Sequence, residues 1–129
     1  MKKLLFILVL FMACGEDPKP VYTSIEGKWR FSAQNISGEF EIVNYYGKLT
    51  VDKGGFFVIN GTRFEIDSKE EIYGLPGPIY FYLANLPNNV IAFREIEINK
   101  TYDQLTTNSN SYVISGKETI INEKIVITR

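Results

Sequence analysis

The sequence predicts an all-β protein with one small antiparallel domain and no strong helix. From residue 25 onward, apolar and polar residues alternate over most of the chain, which is the pattern of strands with one buried face. Turn-forming residues recur about every eight to twelve positions, so the connections are short. An antiparallel meander must close or cover its edge strands. We therefore predict a small up-and-down meander barrel, with a β-sandwich as the alternative.

The first predicted strands have one apolar face each. The run at 27–33 places Trp29 and Phe31 on one face, and lysine, arginine and serine on the other. Runs at 39–43 and 48–52 repeat this pattern, and the Asn-Tyr-Tyr-Gly segment between them is typical of a turn. These segments therefore predict three consecutive strands joined by short connections.

The clearest local signal is Asn60-Gly61, which favours the two positive φ values of a type I′ hairpin turn. With these two residues in the loop, Phe57 pairs with Phe64 on the apolar face. The segment around them is therefore predicted to be a tight hairpin.

A capping box at 68–71 predicts one helical turn before the next strand. The sequence Gly-Leu-Pro-Gly-Pro at 74–78 is incompatible with regular structure and predicts a loop. A strand at 79–84 follows this loop.

The last part of the chain is predicted to contain an irregular strand, a loop and three closing strands. In the strand at 89–99 the apolar parity slips between Phe93 and Ile96, which predicts a bulge. The polar segment at 101–111 is predicted to be a longer loop. The closing strands are expected at 112–115, 118–122 and 124–129.

The start of the chain has the composition of a lipoprotein signal peptide. Two lysines precede an apolar run at 4–13, which is shorter than the ~20 residues that a membrane-spanning helix needs. Residues 11–14, Phe-Met-Ala-Cys, resemble the lipobox of bacterial lipoproteins. The resemblance implies that cleavage removes residues 1–13 and that Cys14 carries diacylglycerol and an acylated amino group. An ordinary signal peptide with a free thiol at Cys14 is the alternative.

The residues after the cysteine predict a tether and a membrane location. Glu16 and Asp17 resemble a short acidic signal that directs lipoproteins to the outer face of the outer membrane in some Gram-negative groups. The proline-containing segment 14–24 predicts an extended spacer, which is the alternative explanation for the acids. Two or more acyl chains anchor stably. We therefore expect a lipid-anchored protein of the bacterial outer membrane, with the cell surface as one of two expected sides.

Gly27 and Trp29, at the start of the first predicted strand, resemble the Gly-x-Trp motif of lipocalins and of small bacterial lipocalin-like lipoproteins. The resemblance implies a lipocalin-like barrel over 25–129, in which Trp29 closes the base and an arginine packs across it. Arg129 is the matching arginine, and a cation–π contact is expected. Residues 101–103 have the wrong order for the Thr-Asp-Tyr motif of lipocalins, so a roomy cavity is not implied. A tryptophan that plugs another β-fold is the alternative.

The missing residue types exclude most catalytic chemistry. The chain has no histidine and a single cysteine, which removes the Ser-His-Asp and Cys-His arrangements and the usual zinc ligand sets. A formal net charge of −1, without clustered Lys and Arg, argues against nucleic acid. Carboxylate pairs such as Glu95 and Glu97 fit a solvated strand face. We expect no catalytic residues, no metal and no cofactor in a protein that is not an enzyme.

Aromatic and apolar residues on nominally wet strand faces predict a binding surface or a second buried face. We define the aromatic surface as Phe56, Val58, Tyr80 and Tyr82. The leading hypothesis is a binding module that accepts a small apolar or amphipathic ligand in the barrel mouth. The alternative is an accessory lipoprotein that binds another envelope protein through the aromatic surface.

Overall fold

Ten antiparallel strands form one sheet in the computed structural model, which describes residues 20–84, 86 and 88–129. The predicted lipobox, Cys14 and the two acids after it lie outside the described residues. No helix occurs within the described ranges. The strands are β1 (Gly27–Ser32), β2 (Ile36–Tyr45), β3 (Lys48–Ile59), β4 (Thr62–Glu65), β5 (Glu71–Ile72), β6 (Ile79–Tyr82), β7 (Val90–Ile98), β8 (Gln104–Ile114), β9 (Lys117–Ile121) and β10 (Ile125–Thr128).

The sheet is a meander in which two strand positions are split. Neighbouring strands follow the order β4-β3-β2-β1-β10-β8-β7-β6. β4 and β5 lie one after the other along the edge of β3 that β2 leaves free. In the same way, β9 and β10 share the edge of β8 that β7 leaves free. If β4 with β5, and β9 with β10, are each counted as one strand, every strand lies beside the strand that precedes it in the chain. β10 then returns beside β1.

A bridge between Ile66 and Leu83 joins the two outermost strands of this order. Next to it, the N–H of Asp67 donates a hydrogen bond of 2.7 Å to the carbonyl oxygen of Tyr82. The sheet therefore curls round until the chain after β4 meets the end of β6, and the predicted meander barrel is confirmed. The sandwich alternative is wrong, because it requires two sheets stacked face to face.

The predicted hairpin at Asn60-Gly61 is confirmed. The φ angles of the two residues are 50° and 83°, as a type I′ turn requires. Phe57 pairs with Phe64 across the two strands, and both side chains are buried. Local turn chemistry and the apolar pattern thus specify the same register.

The helical turn predicted at 68–71 is wrong. This segment lies between β3 and β6, where the N–H of Val51 donates to the carbonyl of Glu70 at 3.0 Å. The Ser68 side chain is buried, and its hydroxyl accepts a hydrogen bond from the N–H of Tyr82. Pairing with neighbouring strands outweighs the local capping signal, and β5 forms in place of a helix.

The loop predicted at 101–111 is also wrong, because β8 begins at Gln104. Its polar residues mislead, since two of them are buried and bonded to each other: the Thr107 hydroxyl donates to the side-chain oxygen of Asn110. The Asn110 amide also donates to the carbonyl of Glu123 at 3.3 Å. A polar segment can lie inside a barrel when its groups satisfy one another in this way.

The parity slip between Phe93 and Ile96 is present, but it is not a bulge in one strand. Both side chains are buried, and Glu95 between them has a φ of 53°. β8 makes the same slip, because Thr107 and Asn110 are both buried. The register of β7 with β8 is unchanged across this point. Both strands therefore change the face that their side chains point to at the same level of the ladder. The predicted bulge, an extra residue in one strand, is wrong.

Five phenylalanine rings pack against one another inside the barrel, with centroids between 4.8 and 6.1 Å apart in tilted or edge-to-face pairs. Gly38 lies opposite Phe57 in the β2–β3 ladder, and a Cβ there would overlap the Phe57 ring. The glycine therefore makes room for the aromatic interior. The five residues are Phe31, Phe40, Phe57, Phe81 and Phe93.

Phe57→Ala is expected to lower the free energy of unfolding by about 3–5 kcal/mol, because it leaves a cavity among the three rings that pack against it. The matched control is Phe56→Ala on the opposite strand face, which should cost at most about 1 kcal/mol. Urea unfolding measures both. Equal losses of unfolding free energy in the two variants would contradict the placement of Phe57 inside the barrel and Phe56 on its outer face.

Candidate functional site

The two ends of the barrel differ in the chain segments that they carry. We call the end where β1 begins the base and the end where β1 finishes the rim. The base carries the N-terminal segment, the β2–β3 hairpin, the β5–β6 loop and the β7–β8 turn. The rim carries the β1–β2 loop, the β3–β4 hairpin, the β6–β7 loop and the β8–β9 turn.

Trp29 and Arg129 meet at the base. The indole is buried, and its Nε1–H donates a 2.9 Å hydrogen bond to the carbonyl of Ile25. The guanidinium carbon of Arg129 lies 4.3 Å from the centroid of the Trp29 ring and 4.1 Å from that of Tyr22. One cation thus contacts two aromatic faces, an arrangement that is attractive through the ring quadrupoles.

The same guanidinium connects separate parts of the base by hydrogen bonds. Arg129 donates to the backbone carbonyls of Ser24 and Glu26, and its Nε donates to that of Tyr102 at 3.0 Å. Gly27 has a φ of 133°, and a Cβ there would overlap the guanidinium, so this position requires glycine. Burial lowers the pKa of Arg129 below its ordinary value. The structure therefore brings Gly27, Trp29 and Arg129 together as one base cluster.

The aromatic surface lies on the outside of the barrel and is divided by a charged pair on β4. The guanidinium of Arg63 lies 3.7 Å from the Phe56 ring centroid and forms a 2.6 Å ion pair with Glu65. Tyr82 is the most exposed member, and burial, together with the neighbouring Glu70, raises its pKa. The four residues are placed as follows: Phe56 and Val58 on β3, Tyr80 and Tyr82 on β6.

A cleft of about 360 Å³ opens at the rim, between the β1–β2 loop and β9. Within the described residues, β9 pairs with β8 alone, and β1 pairs with β10 before the chain turns away toward β2. The barrel wall therefore has a gap beside the outer edge of β9. The cleft is lined by Ala33, Gln34, Asn35, Ile36, Tyr112, Thr119, Ile120, Ile121, Asn122 and Glu123.

The lining of this rim cleft is amphipathic. Ile36 and Tyr112 are buried and form the apolar part of the lining, while Ile120 is 58% exposed. Across the cleft, the N–H of Gln34 donates to a carboxylate oxygen of Glu123 at 3.4 Å. The described lining contains this one carboxylate and no lysine or arginine. Its chemistry fits a ligand with an apolar part and neutral or cationic polar groups.

Sequence reasoning missed the rim cleft. The break after β9 was visible, because separate strands are predicted at 118–122 and 124–129. Whether such a break opens the wall depends on the strand that lies alongside, which is a long-range property. The local signal in the sequence is the adjacent pair Ile120 and Ile121, which places one apolar side chain on each face of the strand.

Comparisons of the chain with protein-family models, with curated proteins and with solved structures give no match. The resemblances to lipobox lipoproteins and to lipocalins therefore stay predictions. Within the described ranges, no helix has the length and apolar character needed to span a bilayer. The same ranges contain no group of three or more acidic, histidine or cysteine side chains that could hold a metal ion.

Arg129→Lys is expected to lower the free energy of unfolding by about 1–3 kcal/mol, because an ammonium group cannot reproduce the planar set of bonds to three carbonyls. Trp29 is the single tryptophan, so its fluorescence should report the loosened base directly. The control is Arg30→Lys on the exposed face of β1, which should change stability by less than about 0.5 kcal/mol. Equal effects of the two substitutions would contradict the role of the base cluster.

Proposed function

We propose that this protein is a lipid-anchored, non-enzymatic binding module of the bacterial outer membrane, and that its rim cleft holds a small amphipathic ligand. The observation that carries the proposal is an open, amphipathic cleft in a barrel whose interior is occupied by its own side chains. We expect the ligand to be neutral or cationic, since the one charged residue of the lining is Glu123.

The packed interior directs the proposal away from the barrel centre to a cleft on the surface. Phe57, Phe81 and Phe93 are fully buried and in mutual ring contact, so a ligand inside the barrel would have to displace them. Loss of such packing costs several kcal/mol per ring. The cleft needs no such rearrangement, and its volume lies near the lower end of the ~300–1,000 Å³ typical of ligand sites. A small ligand therefore suits it.

The proposed anchor would give the cleft a favourable orientation. The described chain begins at the base, and lipid attachment at Cys14 would hold that end toward the membrane. The rim and its cleft would then face away from the bilayer. A ligand that diffuses through the surrounding solution could reach the cleft without crossing lipid.

A second candidate is an accessory role in which the aromatic surface binds another envelope protein. The observation in its favour is the 41% exposure of Tyr82 on β6, together with half-buried apolar side chains on β3. Against it, Phe56 is covered by Arg63, which uses part of this surface within the chain itself. Mass spectrometry distinguishes the two candidates, because a protein partner adds far more mass than a small ligand.

The anchor predicts that Cys14→Ala abolishes lipid labelling. Cells fed an alkyne analogue of palmitate should incorporate it into the wild-type protein, which should be found in the membrane fraction. The variant should incorporate none and should leave that fraction, because a thioether and an acylated amino terminus both require the cysteine. Equal labelling of the variant, or no labelling of the wild type, would contradict the anchor.

The cleft predicts that Thr119→Trp removes the ligand. Native mass spectrometry of wild-type protein purified from its own membranes should show a bound small molecule. In the variant, the indole would fill the cleft and lower occupancy about tenfold or more, equivalent to at least ~1.4 kcal/mol of binding free energy.

The matched control for this experiment is Glu118→Trp, one position along β9 and outside the cleft lining. This variant should keep wild-type occupancy. A wild-type protein that carries no small molecule, or equal loss in both variants, would contradict the proposed site.

A further inference from the structure

The most exposed large hydrophobic side chains of the described residues lie at the base. Tyr46 and Tyr73 are 103% and 90% exposed, and Val21 is 89% exposed. The next value is the 58% of Ile120 at the rim. The exposed apolar side chains are therefore concentrated at the end of the barrel where the N-terminal segment lies. Exposed apolar groups that cluster in this way mark interaction sites.

Tyr46 occupies the tip of a hairpin that projects from the base. β2 and β3 continue for three residue pairs beyond the pairing of Gly27 with Ile42, which carries the tip about 10 Å past the start of β1. The side chain of Asn44 accepts a hydrogen bond of 2.8 Å from the N–H of Gly47, which fixes the turn. The φ of Tyr46 is 53°, an unfavourable value for a bulky residue. An aromatic side chain is thus held at a position where glycine or asparagine would fit more easily.

Tyr73 lies beside the same projection. β5 pairs with the start of β3 through Ile72 and Leu49, so Tyr73 follows next to Lys48. The Lys48 ammonium is largely exposed and lies 3.7 Å from the carboxylate of Glu71. The two most exposed tyrosines therefore belong to one projecting unit.

The N-terminal segment limits how far this unit could lie from a membrane. Lipid attachment at Cys14 would leave a segment to Pro20 that spans at most about 20 Å when fully extended. Beyond Pro20, the chain is fixed by the contact of Tyr22 with Arg129 and by the bond from Arg129 to Ser24. The tether cannot lengthen unless these contacts break.

We propose that the base of the barrel rests on the phospholipid surface, with Tyr46 and Tyr73 at the level of the headgroups. The inference rests on the lipid anchor of the proposed function. Tyrosine combines an apolar ring with a polar hydroxyl and is enriched where a membrane meets water. Lys100, exposed at the base, adds attraction to anionic headgroups. The base cluster holds the tether short, and the tyrosines orient the barrel on the membrane.

The test uses the full-length protein purified from its own membranes and reconstituted in vesicles of phosphatidylethanolamine and phosphatidylglycerol. An environment-sensitive dye is attached at Lys48→Cys beside the tyrosines, or at Lys117→Cys at the rim as the matched control. Nitroxide-labelled lipids should quench the dye at 48 severalfold more than the dye at 117. Protein without an introduced cysteine gives the background, because a lipidated Cys14 carries no free thiol.

Two tyrosine substitutions assign the contact. Tyr46→Ser together with Tyr73→Ser should reduce quenching at 48 to the level at 117. Tyr82→Ser, a tyrosine on the barrel wall, should leave quenching at 48 unchanged. Both tyrosines of the double variant are almost fully exposed, so the fold should persist, and thermal unfolding verifies this.

Flotation of the vesicles separates failure of the anchor from failure of the orientation. Protein that floats with vesicles but is quenched equally at 48 and 117 would overturn the docked base and leave the anchor standing. Protein that does not float would overturn the anchor, and the inference with it. Quenching at 48 that survives loss of both tyrosines would overturn their role.

Discussion

The mutual packing of five phenylalanine rings is the constraint on which the rest of this structure depends. Because these rings occupy the barrel interior, the strand positions that face them are apolar or, as at Gly38, small enough to admit a ring. The same packing leaves little room for a ligand at the centre. The barrel is accordingly a solid scaffold, and its distinctive chemistry lies at its two ends, with a cleft at the rim and exposed tyrosines at the base.

Arg129 holds the segments at the base of the barrel together. Its guanidinium contacts Trp29 and Tyr22 and bonds to carbonyls before β1 and after β7, so segments far apart in the chain are fixed at one point. Gly27 is required because the guanidinium passes where a side chain would begin. A tether fixed this close to the barrel leaves a short span to the proposed lipid. A packing contact at the base therefore bears on how the whole domain would sit at a membrane.

Much of the fold follows from local pattern, whereas the candidate site does not. Alternation of apolar residues and the Asn60-Gly61 turn predict strands and register, because both act over a few residues. The polar segment that contains Thr107 and Asn110 does not show its strand character in the sequence, since its groups are satisfied by partners brought together in the folded barrel. The rim cleft depends on which strand edge stays unpaired, and no short segment encodes that. The base residues Trp29 and Arg129 are predicted from the resemblance to the Gly-x-Trp motif of lipocalins, and not from the local strand pattern.

The proposed function requires that a ligand binds at the rim while the barrel interior stays closed. Methyl NMR spectra of the protein, titrated with a small-molecule extract of its own envelope, test this most directly. Ile120 lines the rim cleft, whereas Ile91 and Leu105 are fully buried in the core. We expect methyl shifts that saturate at Ile120 and at Ala33, which also lines the cleft, and no shifts at Ile91 and Leu105. Larger shifts at Ile91 and Leu105 than at Ile120 would place the ligand inside the barrel and contradict the proposed function.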